Sequence, residues 1–188
     1  EQGVHWWDEQ LDEYTPLPVW HDVPGRWEQA VRDAGENPDD YPLWGITTKS
    51  MQYSAGNNAS IPLMDEVARN IRGHGKVIMN AGTGRSLGIR EGDWVEVASP
   101  YGRTRGQVEL VQGCRPDTLV IPGQFQHWKT PFAKDLNYPS LNSMTPMTGV
   151  ALQLTDATGS GADIVRVRVA RIGPPSGARS REPRELAA

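Results

Sequence analysis

The stretch NAGTGRSLGIREGDWVEV, residues 80–97, decides the fold because its glycines suit two different structures. Gly82, Gly84 and Gly88 would suit a phosphate-binding loop like the one that begins a dinucleotide-binding unit. Their spacing, however, is GxGxxxG, and the residues that follow have the pattern of a turn and a strand instead of a helix. The chain also has no GxxxxGK motif of a nucleoside triphosphate-binding loop. The sequence therefore argues against a nucleotide-binding loop of either kind.

The same stretch fits a turn between the strands of a barrel. Glycine adopts left-handed backbone conformations with little strain, so Gly88 and Gly92 suit a tight turn. Asp93 is placed to hydrogen-bond back to the chain, as aspartate often does in turns. The alternating residues from Trp94 onward then begin a strand. The sequence predicts a turn that leads directly into the sheet.

Six segments have the composition of short β-strands, with β-branched residues that often alternate with polar ones. They are YPLWGITT (41–48), KVIMN (76–80), WVEVASP (94–100), TRGQVELVQG (104–113), TLVIPG (118–123) and DIVRVRVARI (163–172). Two short helices are predicted, in GRWEQAVRDAG, ended by Gly35, and in LMDEVARNI, where Leu63, Val67 and Ile71 form an apolar stripe. The pattern predicts a compact, mainly β barrel.

The chain divides into three parts by composition. Residues 1–41 are acidic and rich in tryptophan, and their proline-broken YTPLPVWHDVPG is not expected to form a helix. We interpret them as an extended arm that packs on its own domain or on a partner. Residues 42–172 form the predicted barrel. Residues 173–188 are rich in proline and charge and are predicted to be a flexible tail.

Composition excludes several classes of function. No apolar run approaches the roughly 20 residues of a membrane-spanning helix, so direct membrane insertion is not expected. A single cysteine, Cys114, excludes an internal disulfide and any site built from several cysteines. The four histidines do not have a metal-ligand spacing. The net charge is −4 and the barrel region is only mildly basic, so no nucleic-acid partner is expected.

Three blocks of the chain, in order, resemble the C-terminal domain of the dimethyl sulfoxide reductase family of molybdenum and tungsten oxidoreductases. The blocks are GITTKSMQYSAGNN, the stretch from Asn80 through TLVIPGQFQHW, and LNSMTPMTGVALQLTDATGSG. The second block matches the family pattern at Asn80, Leu87, Gly88, Ile89, Gly92, Asp93, Val95, Ser99 and Gly102. Ala81 and Gly84 depart from it, standing where proline and alanine are usual. The resemblance runs from about Tyr41 to Ile172.

The resemblance implies a six-stranded double-psi β-barrel, of the aspartate-decarboxylase-like type, with one or two short helices and an extended N-terminal arm. It also implies that the chain binds part of a bis(molybdopterin guanine dinucleotide) cofactor carrying Mo or W. The chain would be the C-terminal domain or a small subunit of the enzyme, without catalytic residues or metal ligands of its own. Its partners would be an iron–sulfur electron-transfer subunit and the remainder of the catalytic subunit. Any iron–sulfur cluster would lie in other domains or subunits.

The blocks are most similar to the branch that acts on thiosulfate, polysulfide, arsenate or phenylacetyl-CoA. The sequence is expected to be that of a soluble prokaryotic protein, and it leaves the compartment, cytoplasm or periplasm, undetermined. The substrate and the choice of metal are not indicated by this part of the sequence.

The resemblance places the first candidate cofactor contacts in the polar loop behind the first strand. A pyrophosphate is bound by a cation together with backbone or hydroxyl donors. The loop offers these at Thr48, Lys49, Ser50, Gln52, Tyr53, Ser54 and Asn57. Taken alone, the loop would be interpreted as an ordinary solvated loop.

Four further candidates lie at the ends of predicted elements. The carboxamide of Asn142 suits a pterin or guanine edge, but it also suits a turn cap. Asn80 has the same two interpretations, which are equally favoured. Gln126 and His127 follow a strand and would reach the pterin or line a substrate funnel, or would belong to an ordinary polar loop.

Two rival functions remain open at this point. One is a barrel of the same type that serves as an interaction module without a cofactor, as in the N-terminal domains of some AAA ATPases. The other is a self-processing decarboxylase on a related barrel, which requires a Gly-Ser cleavage point. Gly159-Ser160 is the only such pair, and the family resemblance places it in a turn.

Overall fold

The computed structural model describes residues 22–53, 58, 61–123, 138–145 and 164–174, together with residues 3, 17 and 20. Its strands are β1 Leu43–Thr48, β2 Val77–Asn80, β3 Trp94–Ser99, β4 Gly102–Val111, β5 Thr118–Pro122 and β6 Ile164–Gly173. They close a barrel in the order β1-β5-β2-β4-β3-β6. All six predicted strands are therefore confirmed, and so is the prediction of a six-stranded double-psi β-barrel. The described residues contain three short α-helices, where one or two were predicted. The predicted boundaries of the arm, the barrel region and the tail stay predictions.

The barrel mixes parallel and antiparallel neighbours. β1 runs parallel to β5, and β2 runs parallel to β4. The four remaining neighbouring pairs are antiparallel, including the hairpin between β3 and β4. The β3–β6 pairing changes register between Trp94 and Val95, at the point where the turn of residues 88–93 delivers the chain into β3. Closure of the barrel leaves the sheet without a free edge.

The core is filled by alternate residues of the strands, as period-two patterning requires. Each fully buried aliphatic side chain contributes about 1.5–3 kcal/mol relative to an exposed one. The buried strand residues of the main cluster are Leu43, Val77, Met79, Val95, Val97, Val108, Leu119, Ile121, Val165 and Val167. Ile89, from the Leu-Gly-Ile of the turn, is buried in the same cluster. The turn is thus anchored from inside the barrel.

Helix α1, Val23–Asp33, joins the predicted arm to the barrel. Trp27 and Ala30 are completely buried and belong to the main core cluster. The Trp27 ring meets Tyr101 edge-on at 6.2 Å, and the Tyr101 hydroxyl donates to the Ala30 carbonyl at 3.0 Å. The end of the arm is therefore part of the packing of the barrel.

The helix begins two residues earlier than the sequence analysis expected. Proline is tolerated in the first turn because its missing N–H would have no partner there, so Pro24 does not block the helix. The Asp22 side chain accepts from the Gly25 N–H and caps the helix. The helix ends before Gly35, whose φ of +80° is left-handed, as predicted.

Helix α2, Pro62–Ala68, lies where a helix was predicted, and its apolar stripe faces away from the core. Leu63 and Val67 are 69% and 58% exposed, and Ile71 just beyond the helix is 44% exposed. The buried residues are instead Asp65 and Ala68. Helical periodicity identifies an apolar stripe but does not show which face of the helix packs inward. Here the inward face is the one that carries Asp65, which pairs with Arg69, His74 and Tyr138.

The stretch that opened the sequence analysis forms helix α3, Ala81–Ser86, followed by a turn. Gly88 and Gly92 have φ of +68° and +78°, the left-handed conformations that the turn requires. The Asp93 side chain accepts from the Arg90 N–H at 2.9 Å, as predicted. Gly82 and Gly84 lie inside the short helix and not in a phosphate-binding loop.

Two 3₁₀ helices, Pro38–Asp40 and Leu141–Met144, complete the regular structure of the described residues. Within that part of the chain, no helix has the length and apolar character needed to cross a bilayer.

Candidate functional site

The predicted cofactor loop leaves the barrel at the end of β1. The Gly123 N–H donates to the Thr48 carbonyl at 2.9 Å, which holds the loop against the end of β5. Thr48 and Lys49 are exposed and Ser50 is half-buried. The Lys49 ammonium forms no ion pair with any residue in the described part of the chain. A cation is therefore available to an anionic ligand at this end of the barrel.

Farther along the loop, Gln52 and Tyr53 turn inward. Tyr53 is 2% exposed and packs with Ala68, Met64 and Tyr138 in a small apolar cluster beneath the loop. Burial, together with the nearby charge of Asp65, raises the pKa of Tyr53 to about 12. Its ring also lies 5.7 Å from the His74 ring, measured between centroids. Tyr53 is a neutral anchor for the loop at physiological pH.

A chain of polar contacts runs inward from Gln52. Gln52 Nε2 lies 3.2 Å from His74 Nδ1, and His74 Nε2 lies 3.1 Å from Asp65 Oδ1. The Tyr138 hydroxyl donates to the same carboxylate oxygen at 2.8 Å, and the Arg69 guanidinium pairs with Asp65 Oδ2 at 2.5 Å. We refer to Gln52, Asp65, Arg69, His74 and Tyr138 as the Asp65 network. It connects four separate segments of the chain.

Asp65 is the charged centre of the Asp65 network. The residue is 1% exposed, and such burial by itself raises the pKa of a carboxyl group. The hydrogen bonds from His74 and Tyr138 and the charge of Arg69 outweigh burial, so the pKa of Asp65 lies below its ordinary value. Asp65 is therefore ionised at physiological pH and accepts hydrogen bonds without donating any.

The turn that carries His74 is held on both sides. Gly73 and Gly75 have φ of +79° and +63°, and a Cβ atom at Gly75 would overlap the Tyr138 ring. Flanking this turn, Arg72 Nε and Lys76 Nζ both pair with the buried carboxylate of Glu109 on β4. Burial would raise the pKa of Glu109, but these two cations hold it below its ordinary value. His74 is thus fixed to the barrel wall.

Two buried oxygens of the Asp65 network make no hydrogen bond to a described residue, and one of them, Asp65 Oδ2, is ion-paired with Arg69. Gln52 Oε1 is buried and accepts no hydrogen bond from any residue that the structure describes. An unpaired buried acceptor costs about 1–3 kcal/mol, and native proteins contain few of them. The open acceptor lies close in sequence to the exposed Lys49, so the loop combines a cation with a hydrogen-bond acceptor.

Asn80 has a structural role that sequence reasoning had left open. Its Oδ1 accepts from the N–H groups of Gly82 and Thr83 at 2.7 and 3.3 Å and caps helix α3. Its Nδ2 donates to the Cys114 carbonyl at 2.7 Å. Both ends of the carboxamide are engaged within the chain, so the cap interpretation is confirmed, and a cofactor contact by Asn80 stays a prediction.

Of the remaining candidates, only Asn142 lies in the described part of the chain. Asn142 is exposed on the 3₁₀ helix, where its carbonyl accepts from the Thr145 hydroxyl at 3.0 Å. Ser54, Asn57, Gln126 and His127 lie outside the described residues, so the predictions for them stay untested.

Sequence reasoning missed Asp65, His74 and Tyr138. Asp65 and His74 are nine residues apart and Tyr138 lies far beyond them, so no short motif joins them. The one local signal is the Gly-His-Gly of residues 73–75, in which two flexible residues flank a histidine. Such a histidine is held in place only by contacts that the fold supplies.

Two features lie away from the loop. A cavity of about 580 Å³ between α1, β1 and the turn before β5 is lined by none of the predicted site residues. Cys114 is half-buried at its rim and donates to the Thr118 carbonyl at 3.2 Å, and burial raises the pKa of its thiol. Cys114 is a turn residue, as the sequence indicated.

Comparison with known proteins identifies the family. The family model described as "Molydopterin dinucleotide binding domain" matches residues 46–153. Over 93 residues the chain is 29% identical to the molybdopterin-binding-like subunit of menaquinone reductase from Nitratidesulfovibrio vulgaris strain Hildenborough, a match that covers 49% of this chain and 14% of the relative. Over 116 residues it is 22% identical to a tetrathionate reductase subunit from Salmonella typhimurium strain LT2, covering 62% of this chain and 11% of the relative.

The fold also has a counterpart among solved structures. Acetylene hydratase from Pelobacter acetylenicus superposes with a TM-score of 0.59 and 15% identity, over 88% of this chain and 22% of the enzyme. The chain spans less than a quarter of each of these three proteins. The family model, which covers more than half of the chain and includes the loop behind β1, confirms the resemblance. The chain belongs to the molybdopterin dinucleotide-binding domains of the dimethyl sulfoxide reductase family.

Proposed function

We propose that this domain binds part of a bis(molybdopterin guanine dinucleotide) cofactor within a molybdenum or tungsten oxidoreductase, as its C-terminal domain or as a small subunit. The observation that carries the proposal is the loop behind β1, which carries an exposed cation, Lys49, three residues before the buried and unpaired acceptor Gln52 Oε1. A pyrophosphate needs a cation such as Lys49, and the ring N–H and amino groups of guanine or pterin can donate to an acceptor such as Gln52 Oε1.

The residues of the loop fit this cofactor in their chemistry. Lys49 would bind the pyrophosphate, and Gln52 would accept from a ring N–H or amino group. When bound, the cofactor supplies the metal chemistry that moves an oxygen atom or a hydride equivalent. The described residues of the chain would bind and orient the cofactor, and the Tyr53 cluster would keep water from the inner side of the loop.

Lys49 provides the test of this function. A charge-assisted hydrogen bond contributes about 1.5–3 kcal/mol, so Lys49→Ala is expected to lower cofactor retention roughly ten- to a hundredfold. The thermal midpoint should stay nearly unchanged because Lys49 is exposed. Lys49→Arg should recover part of the loss, since charge matters more than shape. The measurement is guanosine monophosphate released by acid hydrolysis per mole of purified protein, made beside a thermal melt.

Arg85→Ala is the matched control, because Arg85 is also an exposed cation but lies on helix α3. It removes the same charge and should leave cofactor content unchanged. Full cofactor occupancy in Lys49→Ala after dilution would contradict the role of Lys49. Wild-type protein that releases no guanosine monophosphate would instead favour the cofactor-free interaction module.

We also propose that the domain assembles with an iron–sulfur subunit as well as with the rest of a catalytic subunit. Both sequence relatives are subunits of reductases. The exposed apolar face of helix α2 supports a contact with another domain, since clusters of exposed apolar residues often mark interfaces. Native mass spectrometry of the purified protein, with iron analysis of co-purifying chains, tests this proposal. A single chain of this mass without iron would overturn it.

A further inference from the structure

The His74 ring is held on every side in the Asp65 network. Its side chain is 3% exposed, and the Tyr53 and Tyr138 rings lie 5.7 and 5.2 Å from it, the second in an edge-on arrangement. Its two nitrogens face different partners, Asp65 on one side and Gln52 on the other. The position of the proton on this ring therefore decides whether Asp65 and Gln52 each face a hydrogen-bond donor or an acceptor.

Asp65 determines the position of that proton. An ionised carboxylate only accepts hydrogen bonds, so His74 Nε2 must carry the hydrogen that points at Asp65. In a neutral imidazole the other nitrogen is then an acceptor. Gln52 has to meet that acceptor with its NH₂ group, which directs its carbonyl oxygen, Oε1, away from His74. The side chain of Gln52 therefore leaves its oxygen, Oε1, unpaired, and Asp65 sets this orientation through His74.

We infer that Asp65 and His74 are positioning residues that fix the polarity of Gln52, so that Gln52 presents an acceptor to a ring N–H or amino group of the bound ligand. The inference rests on the proposed function, in which the pterin or guanine part of the cofactor carries such groups. Gln52 is the residue that touches the ligand, and Asp65 and His74 act through it.

Asp65→Asn offers a direct test, because the structure predicts how the new amide would lie. Arg69 only donates, so it would hold the oxygen of the amide, and the NH₂ group would face His74 Nε2 and the Tyr138 oxygen. His74 would then carry its hydrogen on Nδ1. Gln52 would turn its oxygen to that hydrogen and present NH₂ to the ligand. A single substitution at a residue that does not touch the ligand would thus change the Gln52 group facing the ligand from an acceptor to a donor.

The first measurement is nitrogen-15 NMR of the full chain labelled at histidine, with His74→Gln used to assign the His74 signals. Protonated and unprotonated ring nitrogens differ clearly in chemical shift, so the two tautomers are distinguishable. We expect the hydrogen on Nε2 in the wild type and on Nδ1 in Asp65→Asn. Tyr138→Phe removes another hydrogen bond to Asp65 and should leave the hydrogen on Nε2. A wild-type chain with the hydrogen on Nδ1 overturns the inference.

The second measurement is guanosine monophosphate content of the purified protein after dilution. Gln52→Leu and Asp65→Asn should each lower retention by about tenfold, the effect of one lost hydrogen bond. Combining them should lower it no further, because Asp65 acts only through Gln52. Glu109→Gln, at another buried carboxylate with two cationic partners, controls for the loss of a buried charge and should retain the cofactor.

The outcomes separate this inference from the proposed function. Wild-type protein without guanosine monophosphate overturns the proposed function, while the NMR result still tests the Asp65 network. Wild-type protein with cofactor, and equal retention in Gln52→Leu, overturns the inference alone. Losses that multiply in the double variant would show that Asp65 acts by general stabilisation and not through Gln52.

Discussion

Two buried aspartates, Asp93 and Asp65, differ in their partners outside their own segments: those of Asp93 lie on barrel strands, and those of Asp65 lie on connecting segments. Asp93 ends the turn stretch, residues 80–93, and pairs with Arg171 of β6 at 2.6 and 3.2 Å. Its carbonyl accepts from the Val108 N–H of β4 at 2.9 Å. Asp65 pairs with its own helix and with two segments outside the strands. One carboxylate ties the turn to the barrel strands, and the other joins connecting segments to a loop.

The comparison shows that a strong sequence pattern and a site need not coincide. Within the turn stretch the polar contacts described join residues of the stretch to one another, to the turn before β5 or to barrel strands, so its pattern reflects architecture. The Asp65 network has no pattern, yet it ends in a buried acceptor without a partner among the described residues. Changes in the turn stretch should therefore lower stability, and changes in the Asp65 network should lower cofactor binding.

The largest effect is expected from Ile89→Ala in the turn stretch. Ile89 is 2% exposed within the main core cluster, so the substitution should cost about 2–5 kcal/mol in the free energy of unfolding. Denaturant unfolding measures this loss. Leu87→Ala is the control, since Leu87 is 48% exposed and should change stability by less than about 0.5 kcal/mol.

The cofactor content of the same Ile89→Ala protein tests whether a loss of stability in the turn stretch leaves cofactor binding intact. Per mole of folded protein, guanosine monophosphate should match the wild type, because Ile89 is buried in the core and is not among the predicted ligand contacts. A large loss of cofactor from protein that remains folded would break the distinction between the two regions.

An intermediate effect is expected in acid. The pKa of Asp65 is lowered in the fold, because its hydrogen bonds and the Arg69 charge outweigh burial, while an unfolded Asp titrates near pKa ~3.9. Its contribution to stability is therefore complete above about pH 4 and is lost as the pH falls through the folded-state pKa. The hydrogen bonds from Arg171 lower the pKa of Asp93 in the same direction.

Thermal melts between neutral pH and about pH 2 should thus show Asp65→Asn and Asp93→Asn each losing less stability on acidification than the wild type. The two variants should differ in binding: at neutral pH only Asp65→Asn should release cofactor. Equal cofactor loss in both would mean that binding follows stability and that the Asp65 network has no separate role.

The smallest effect is expected from Asn80→Ala. It removes the cap of helix α3 and should cost about 0.5–2 kcal/mol of stability. Asn142→Ala, at an exposed residue of the 3₁₀ helix, should change stability by less than about 0.5 kcal/mol. Cofactor loss confined to Asn142→Ala would support Asn142 as a ligand contact. Cofactor loss in Asn80→Ala beyond its loss of stability would place the turn stretch in the site.

The sequence by itself determined the strands and the turn. Period-two alternation records which side of a strand is buried, and it located all six strands of the barrel. Gly88, Gly92 and Asp93 were predicted correctly because a tight turn needs left-handed backbone and a local acceptor, both of which are properties of neighbouring residues. Because these requirements involve neighbouring residues only, they can be recognised from the residue types along the sequence.

Only the tertiary structure decided which surfaces and side chains meet. Periodicity marked the apolar stripe of helix α2 but not its exposure, since that depends on whether the barrel or solvent faces it. From the sequence Asn80 fitted a cap and a ligand contact equally, and only the fold shows that it caps helix α3 and donates to the Cys114 carbonyl. The Asp65 network joins residues from distant positions, and the polarity of Gln52 follows from their contacts. Hydrogen-bond partners across the chain are set by folding in three dimensions, which no spacing along the sequence records.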